Sequence, residues 1–187
     1  MTDASTSPTD RRTAAFVARL RGLADAEDRG ALAALRASLQ DPHGMAAAAC
    51  PYVVPFLPLD EDLSRDGAYF LVGALFALHS DAGGDGVSLG HAFRAINEGQ
   101  EGPGKPDNES LRGRFVALLD ADREDLPDHL RHVVSLARAK LKPLDWYRLL
   151  RDVLGWDHPS RYVQRRLARD FWKNPHDDFE AERETSR

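Results

Sequence analysis

His129 and His132 stand in an H-x-x-H spacing, with Asp125 and Asp128 just before them. On a helix this spacing sets two imidazoles on adjacent turns, the start of a zinc site that still needs a third ligand and a general base. The aspartates are more simply read as negative charge in the first turns of a helix, which leaves the histidines on a solvated face. "GQEGPGKP", Gly99 to Pro106, follows a phosphate-binding loop for seven positions, then puts Pro106 where a Ser or Thr would hold magnesium. No apolar strand precedes it, so it reads as a loop rather than a nucleotide site. Asp60, Glu61 and Asp62 form an acidic run ahead of an apolar segment, again charge at a helix start rather than a catalytic pair. No G-x-S-x-G occurs, and the other histidines have no Ser or Cys context for nucleophilic catalysis. Neither enzymatic activity nor a metal or cofactor is expected.

The arginines carry more information, because their spacing can be laid on a helical wheel at about 100° per residue. Over Glu124 to Leu141, with Arg131 at the origin, Arg138 lies near −20°, Ser135 near 40° and Lys142 near 20° if the helix runs that far. Leu126, Leu130, Val133, Ala137 and Leu141 fall between about 200° and 280°. A basic row is thereby separated from an apolar face, and apart from Glu124 and Asp128 near its N-terminal end it has few acidic neighbours. Over Pro159 to Trp172, Arg161, Arg165, Arg169 and Arg166 spread over about 140°, opposite Val163, Leu167 and Phe171. Such rows also serve as solvated faces snorkelling over a core. Rows without neutralising partners are what a polyanion backbone requires, and phosphate contact is the reading adopted.

"LDWYRLLRDVLGW", Leu144 to Trp156, sets two tryptophans among arginines, which raises base stacking as a possibility. On the wheel Leu149, Leu150, Val153 and Leu154 all lie within about 80° of Trp146, while Arg148 and Arg151 lie across the helix. Trp146 is therefore expected in the core, with the arginines facing out.

These residues need helices to hold them. "RRTAAFVARLRGLA" places Phe16, Leu20 and Leu23 at i, i+4, i+7, and "RGALAALRASL" repeats the pattern with Leu32, Leu35 and Leu39. "CPYVVPFLP" carries prolines at 51, 55 and 58 and is expected as an extended connector or short turns. "SRDGAYFLVGALFALHS" is apolar nearly all round, the expected central buried helix. Residues 81–108 hold seven of the fourteen glycines and embed the short helical piece "SLGHAFRAI". Four helical segments follow: 109–122, 124–141, 145–155 capped by Asp145, and 159–172 with Pro159 in its first turn. No segment alternates at period two, so the class is all-α. The expected organisation is a disordered leader at 1–9, a helical lobe at 10–80, a glycine-rich junction at 81–108, a second helical lobe at 109–173 and an acidic tail at 174–187.

The net charge of −5 hides an uneven distribution. Residues 1–110 carry 9 Lys/Arg against 16 Asp/Glu, residues 111–173 carry 14 against 9, and residues 174–187 carry 2 against 5. A basic block thus sits inside an acidic chain, which keeps nucleic acid open as a partner. The single cysteine, Cys50, excludes an internal disulfide and reads as a small buried hydrophobe in a reducing compartment. The longest apolar run, Ala68 to Leu78, is short of the roughly 20 residues that span a bilayer, and the N-terminus lacks a signal-peptide pattern. A cytoplasmic protein without membrane contact is expected.

From Arg112 onward the run "R-x-RF-x-x-LLDAD", "LPDHLRHVVSLA", "LDWYRLLRDVLGW" and a last helix ending "ARDFW" resembles the CasB family. "SLGHAF" at 88–93, after a glycine-rich turn, is similar to the same family, the small subunit of the type I-E CRISPR Cascade complex. The resemblance implies a two-lobed helical protein without enzymatic activity, its copies associating head to tail and with other Cascade subunits along the guide RNA. It implies contacts to phosphates of the displaced target DNA strand and support of the guide–target heteroduplex, cutting being left to a separate nuclease. The family's contacting arginines correspond to Arg65, Arg131 and Arg151. Charge and geometry add Arg94, Arg112, Arg114, Arg138 and Lys142. Asp120 falls where some relatives carry a basic residue, so that contact is expected to be lost or to shift to Arg123. The alternative is a protein-only helical adaptor whose basic faces meet acidic surfaces.

Overall fold

The i, i+4, i+7 spacing of Phe16, Leu20 and Leu23 is realised in helix α1, Pro8–Asp25, which buries all three. This computed structural model describes residues 7–58, 63–80, 84–98 and 109–173. The acidic run at 60–62, the Gly99–Pro106 loop and the tail at 174–187 lie outside the described residues. Helix α1 begins inside the stretch expected as leader, because Pro8 is preset for a first helical turn and the Ser7 hydroxyl accepts from the Thr9 amide at 3.2 Å. Helix α2, Arg29–Ala37, is capped by Asp28, which accepts from Ala31 N at 2.9 Å. The proline-rich stretch resolves into short turns around α3, Cys50–Val53, with Pro51 and Pro55 in first turns where no amide donor is missed. Cys50 is half-buried and unpaired.

Helix α4, Leu63–Leu78, is the expected central element: Ala68, Tyr69, Phe70, Val72, Ala74, Leu75, Phe76 and Ala77 are all buried. It is followed by α5, Leu89–Glu98; α6, Glu109–Asp120; α7, Leu126–Ala139; α8, Trp146–Leu154; and α9, Tyr162–Trp172. The described residues contain no strand element, in keeping with the all-α expectation. Their buried apolar side chains form one continuous cluster from Phe16 to Phe171. Within it α4 packs on α1, α2, α7 and α8, while α5 packs on α6, α7 and α9. Helix α8, late in the sequence, thus completes the group built by the first helices.

Two helix ends depart from the wheel. Helix α7 stops at Ala139, closed by Leu141 N donating to Arg138 O at 3.1 Å and Lys142 N to Ala137 O at 2.8 Å. This is a Schellman ending, with Leu141 at the position that favours glycine: its φ is 50°. Leu141, expected on the apolar arc, is instead 86% exposed, and Lys142 does not continue the basic row. Leu141→Gly is expected to raise stability by about 0.5–1 kcal/mol in denaturant unfolding, since it relieves a left-handed residue that buries nothing. A destabilised variant would show that the exposed side chain makes a stabilising contact. Helix α9 starts at Tyr162 rather than Pro159, because Arg161 is itself left-handed, φ 48°, and turns the chain into the helix.

Candidate nucleic-acid interface

The motifs "SLG" and "LDW" are structural, and they meet. Asp145 caps α8 by accepting from Arg148 N at 2.9 Å, while its other oxygen accepts from Gly86 N at 2.9 Å and its own amide donates to Val87 O at 2.9 Å. One carboxylate therefore ties the start of α8 to the turn before α5. Ser88 accepts from His91 N as the cap of α5 and donates to Asp170 of α9, which in turn takes Arg148 Nη2 at 3.1 Å. Gly90 lets α5 and α9 touch: a Cβ there would lie 2.5 Å from Leu167 O and 2.8 Å from Asp170 Cβ. Trp146 is fully buried, as its wheel position predicts, and Trp156 is nearly so, donating from Nε1 to Ala121 O at 2.9 Å.

Held on this frame, Arg131 and Arg138 of α7 are exposed on the side away from buried Leu126, Leu130, Val133 and Ala137. Neither forms an ion pair among the described residues. Lys142 is half-buried beyond the helix end, where its carbonyl accepts from His79 Nε2 at 2.9 Å. Arg112 and Arg114 are exposed on α6. Arg94 is held by Lys173 O, to which Nη1 donates at 2.7 Å, and by Glu98 at 3.7 Å.

Arg65 and Arg151 gather elsewhere, around the start of α1. Arg151 is exposed but pairs with Asp10 at 3.4 Å and lies 5.9 Å over the Tyr147 ring. Arg65 lines a cavity of about 60 Å³ with Thr9, Arg12, Tyr69 and Leu154. Sequence reasoning passed over Arg12, which is half-buried there; its signal is adjacency in space, and no spacing along the chain reveals it. Tyr147 donates to Asp10 Oδ1 at 3.2 Å, and burial followed by the Asp10 charge raises its hydroxyl above the ordinary pKa of 10.0.

The expected basic face of α9 is partly neutralised. Arg165 and Arg169 are exposed and make no ion pair among the described residues, but Arg161 pairs with Asp120 at 3.8 Å and Arg166 with Asp152. Asp120, expected to depart from the CasB pattern, thus faces Arg161 across a largely exposed pair. Arg123, the suggested replacement, is engaged by Asp157 and by Val153 O at 3.0 Å. Asp152 is 3% exposed, and desolvation outweighs the Arg166 charge to push its pKa from 3.8 to about 6.

His132 Nδ1 donates to Asp128 O at 2.8 Å, a helical contact rather than a ligand geometry. Among the described residues no group of three or more His, Cys, Asp or Glu could hold a metal, and no helix is long and apolar enough to cross a membrane.

Fold and site define a helical scaffold whose arginines are displayed on α7 and around the start of α1. The family described as CRISPR-associated protein Cse2 matches residues 31–172. A CRISPR-associated protein Cse2 from Thermus thermophilus is 38% identical over 143 residues, 76% of this chain and 78% of that one. The crystal structure of CasB from Thermus thermophilus superposes with a TM-score of 0.73 at 35% identity, covering 90% of this chain and 99% of that one. A chain of a CRISPR RNA-guided surveillance complex shares the fold at TM-score 0.67 and 23% identity, covering 96% and 99%. The chain belongs to the Cse2 family of CRISPR-associated proteins, known also as CasB.

Proposed function

We propose that this protein is a non-catalytic, nucleic-acid-binding small subunit of a CRISPR Cascade surveillance complex. In this reading it stabilises the R-loop, its basic helix faces holding phosphates of the guide RNA, the target DNA and the displaced strand without reading sequence. Copies associate head to tail and with other Cascade subunits. The observation that carries the reading is the α7 row: Arg131 and Arg138 project from a rigid helix, away from the core, with no ion pair among the described residues. They lie about 10 Å apart along the axis, the rise of about three stacked nucleotides of one strand. Family membership and the shared fold with a chain of an RNA-guided complex support the same reading.

Fluorescence polarisation with labelled single-stranded DNA tests it. Binding is expected to weaken steadily as salt rises, and Arg131→Ala combined with Arg138→Ala should lower the slope of log affinity against log salt by about 1.4, at about 0.7 per phosphate contact on a single strand. The melting temperature should barely move, because neither side chain is buried. A flat salt response, or an unchanged slope in the double variant, sinks the phosphate reading. It would favour the protein-only adaptor, in which the acidic first part of one copy meets the basic block of the next.

A further inference from the structure

Helices α5, α6 and α7 line a cavity of about 290 Å³, open at the surface, that the phosphate row does not use. Its apolar wall comes from Phe93 on α5, Ala117 on α6, and Val133 and Leu136 on α7. Its polar groups are Arg114 from α6 and His129 and His132 from α7, and no carboxylate of the described residues lines it. The volume is close to the lower end of small-molecule pockets, about 300 Å³, and the combination of apolar walls with a few convergent polar groups is what such sites share.

The histidine geometry sharpens the ligand class. The Asp128 carbonyl can only accept, so the 2.8 Å contact to His132 Nδ1 places the ring proton there. In the neutral imidazole Nε2 is then left with its lone pair, ready to accept from an N–H. Arg114 makes no ion pair among the described residues, so its guanidinium is available to an anion. The cavity also flanks the basic row: His132 and Leu136 lie about 100° and 140° round α7 from Arg131. A strand running along Arg131 and Arg138 passes beside it.

We propose that this cavity is a nucleobase pocket, receiving one base turned out of a single strand whose phosphates follow Arg131 and Arg138. The base packs on the Phe93, Ala117 and Leu136 wall, its edge N–H donates to His132 Nε2, and Arg114 meets the phosphate of the same nucleotide. The inference rests on the nucleic-acid reading above. An apolar side chain from a partner protein is the competing occupant; the cationic groups on both sides of the cavity favour the nucleotide, whose base is apolar on its faces and whose phosphate is anionic.

The test compares oligothymidylate with an abasic strand of the same length and charge, bound by the full-length protein. Wild type should prefer the base-bearing strand by about fivefold or more, the range of one stacked and hydrogen-bonded base. Ala117→Phe fills the cavity from an exposed position without touching a charge. It should erase that preference while leaving affinity for the abasic strand and its salt slope unchanged. His132→Ala, checked for an unaltered melting curve, should remove part of the preference and covers the case in which Ala117→Phe perturbs folding. If wild type shows no preference, or both variants keep it, the pocket assignment is overturned. In that event an abasic strand that still responds to Arg131→Ala leaves the phosphate row standing, whereas one that does not bind at all removes both. If Ala117→Phe instead disturbs assembly with partner subunits and keeps the base preference, the cavity belongs to a protein and the assignment is wrong.

Discussion

Trp146→Ala is expected to lower unfolding stability by about 3–5 kcal/mol, the range for removing a fully buried large aromatic. The indole is 0% exposed, sits edge-on to Phe76 at 5.3 Å and to His79 at 6.4 Å, and fills the seam between α4 and α8. His79 is anchored on the Lys142 carbonyl and Asp145 fixes the first turn of α8, which limits how far the seam can close over the space. Urea unfolding measures the loss directly, and Trp172→Ala, at a half-exposed ring, is the comparison that should cost much less. A loss below about 1 kcal/mol at Trp146 would remove it from the core. Arg151, on the far side of the same helix, should lose its fixed presentation together with the indole.

Arg166→Ala is expected to be nearly as damaging, but only where Asp152 is ionised. The pair is asymmetric: Asp152 is 3% exposed, whereas about a third of the Arg166 side chain reaches solvent. Removing the arginine strands a carboxylate in the interior, which costs about 3–5 kcal/mol when the charge stays. In wild type the carboxyl already titrates at about 6 instead of 3.8. Between those two values the native state keeps a proton that the unfolded chain has lost. Asp152 therefore lowers stability as pH rises from about 4 to about 6, by about 3 kcal/mol in all, and its contribution is flat above that. Arg166→Ala should be destabilised most at about pH 8 and recover towards pH 4, while Asp152→Asn should lose the wild-type slope in that window. If Arg166→Ala were equally affected at both ends, burial of the carboxylate would not be the cause.

The two variants also mark how far sequence reading reaches. Trp146 was legible because its burial follows from positions within one helix, and so were Phe16, Leu35, Leu130 and Leu167: each shares a face with apolar neighbours three or four residues away. Asp145 was legible as a cap for the same reason. Asp152 was not, since its partner Arg166 lies on another helix, and on the wheel that arginine reads as one more solvent-facing charge. Leu141 failed in the opposite direction, because the wheel assumes that the helix continues and the chain turns left-handed at that residue. Arg151 was placed outward correctly, yet its pairing with Asp10 depends on α8 returning to α1.

What the amino-acid sequence determined by itself is therefore local: the helical class, the apolar face within each helix, the Asp145 cap, and the outward direction of Arg131, Arg138 and Arg151. Tertiary structure decided which arginines stay uncompensated, because apart from the i, i+4 pair Arg94–Glu98 their ion pairs join residues brought together by packing and leave no trace in spacing. It likewise placed Arg12 beside Arg65 and shaped the open cavity between α5, α6 and α7, since the walls of a cavity belong to elements whose relative positions only the folded core sets.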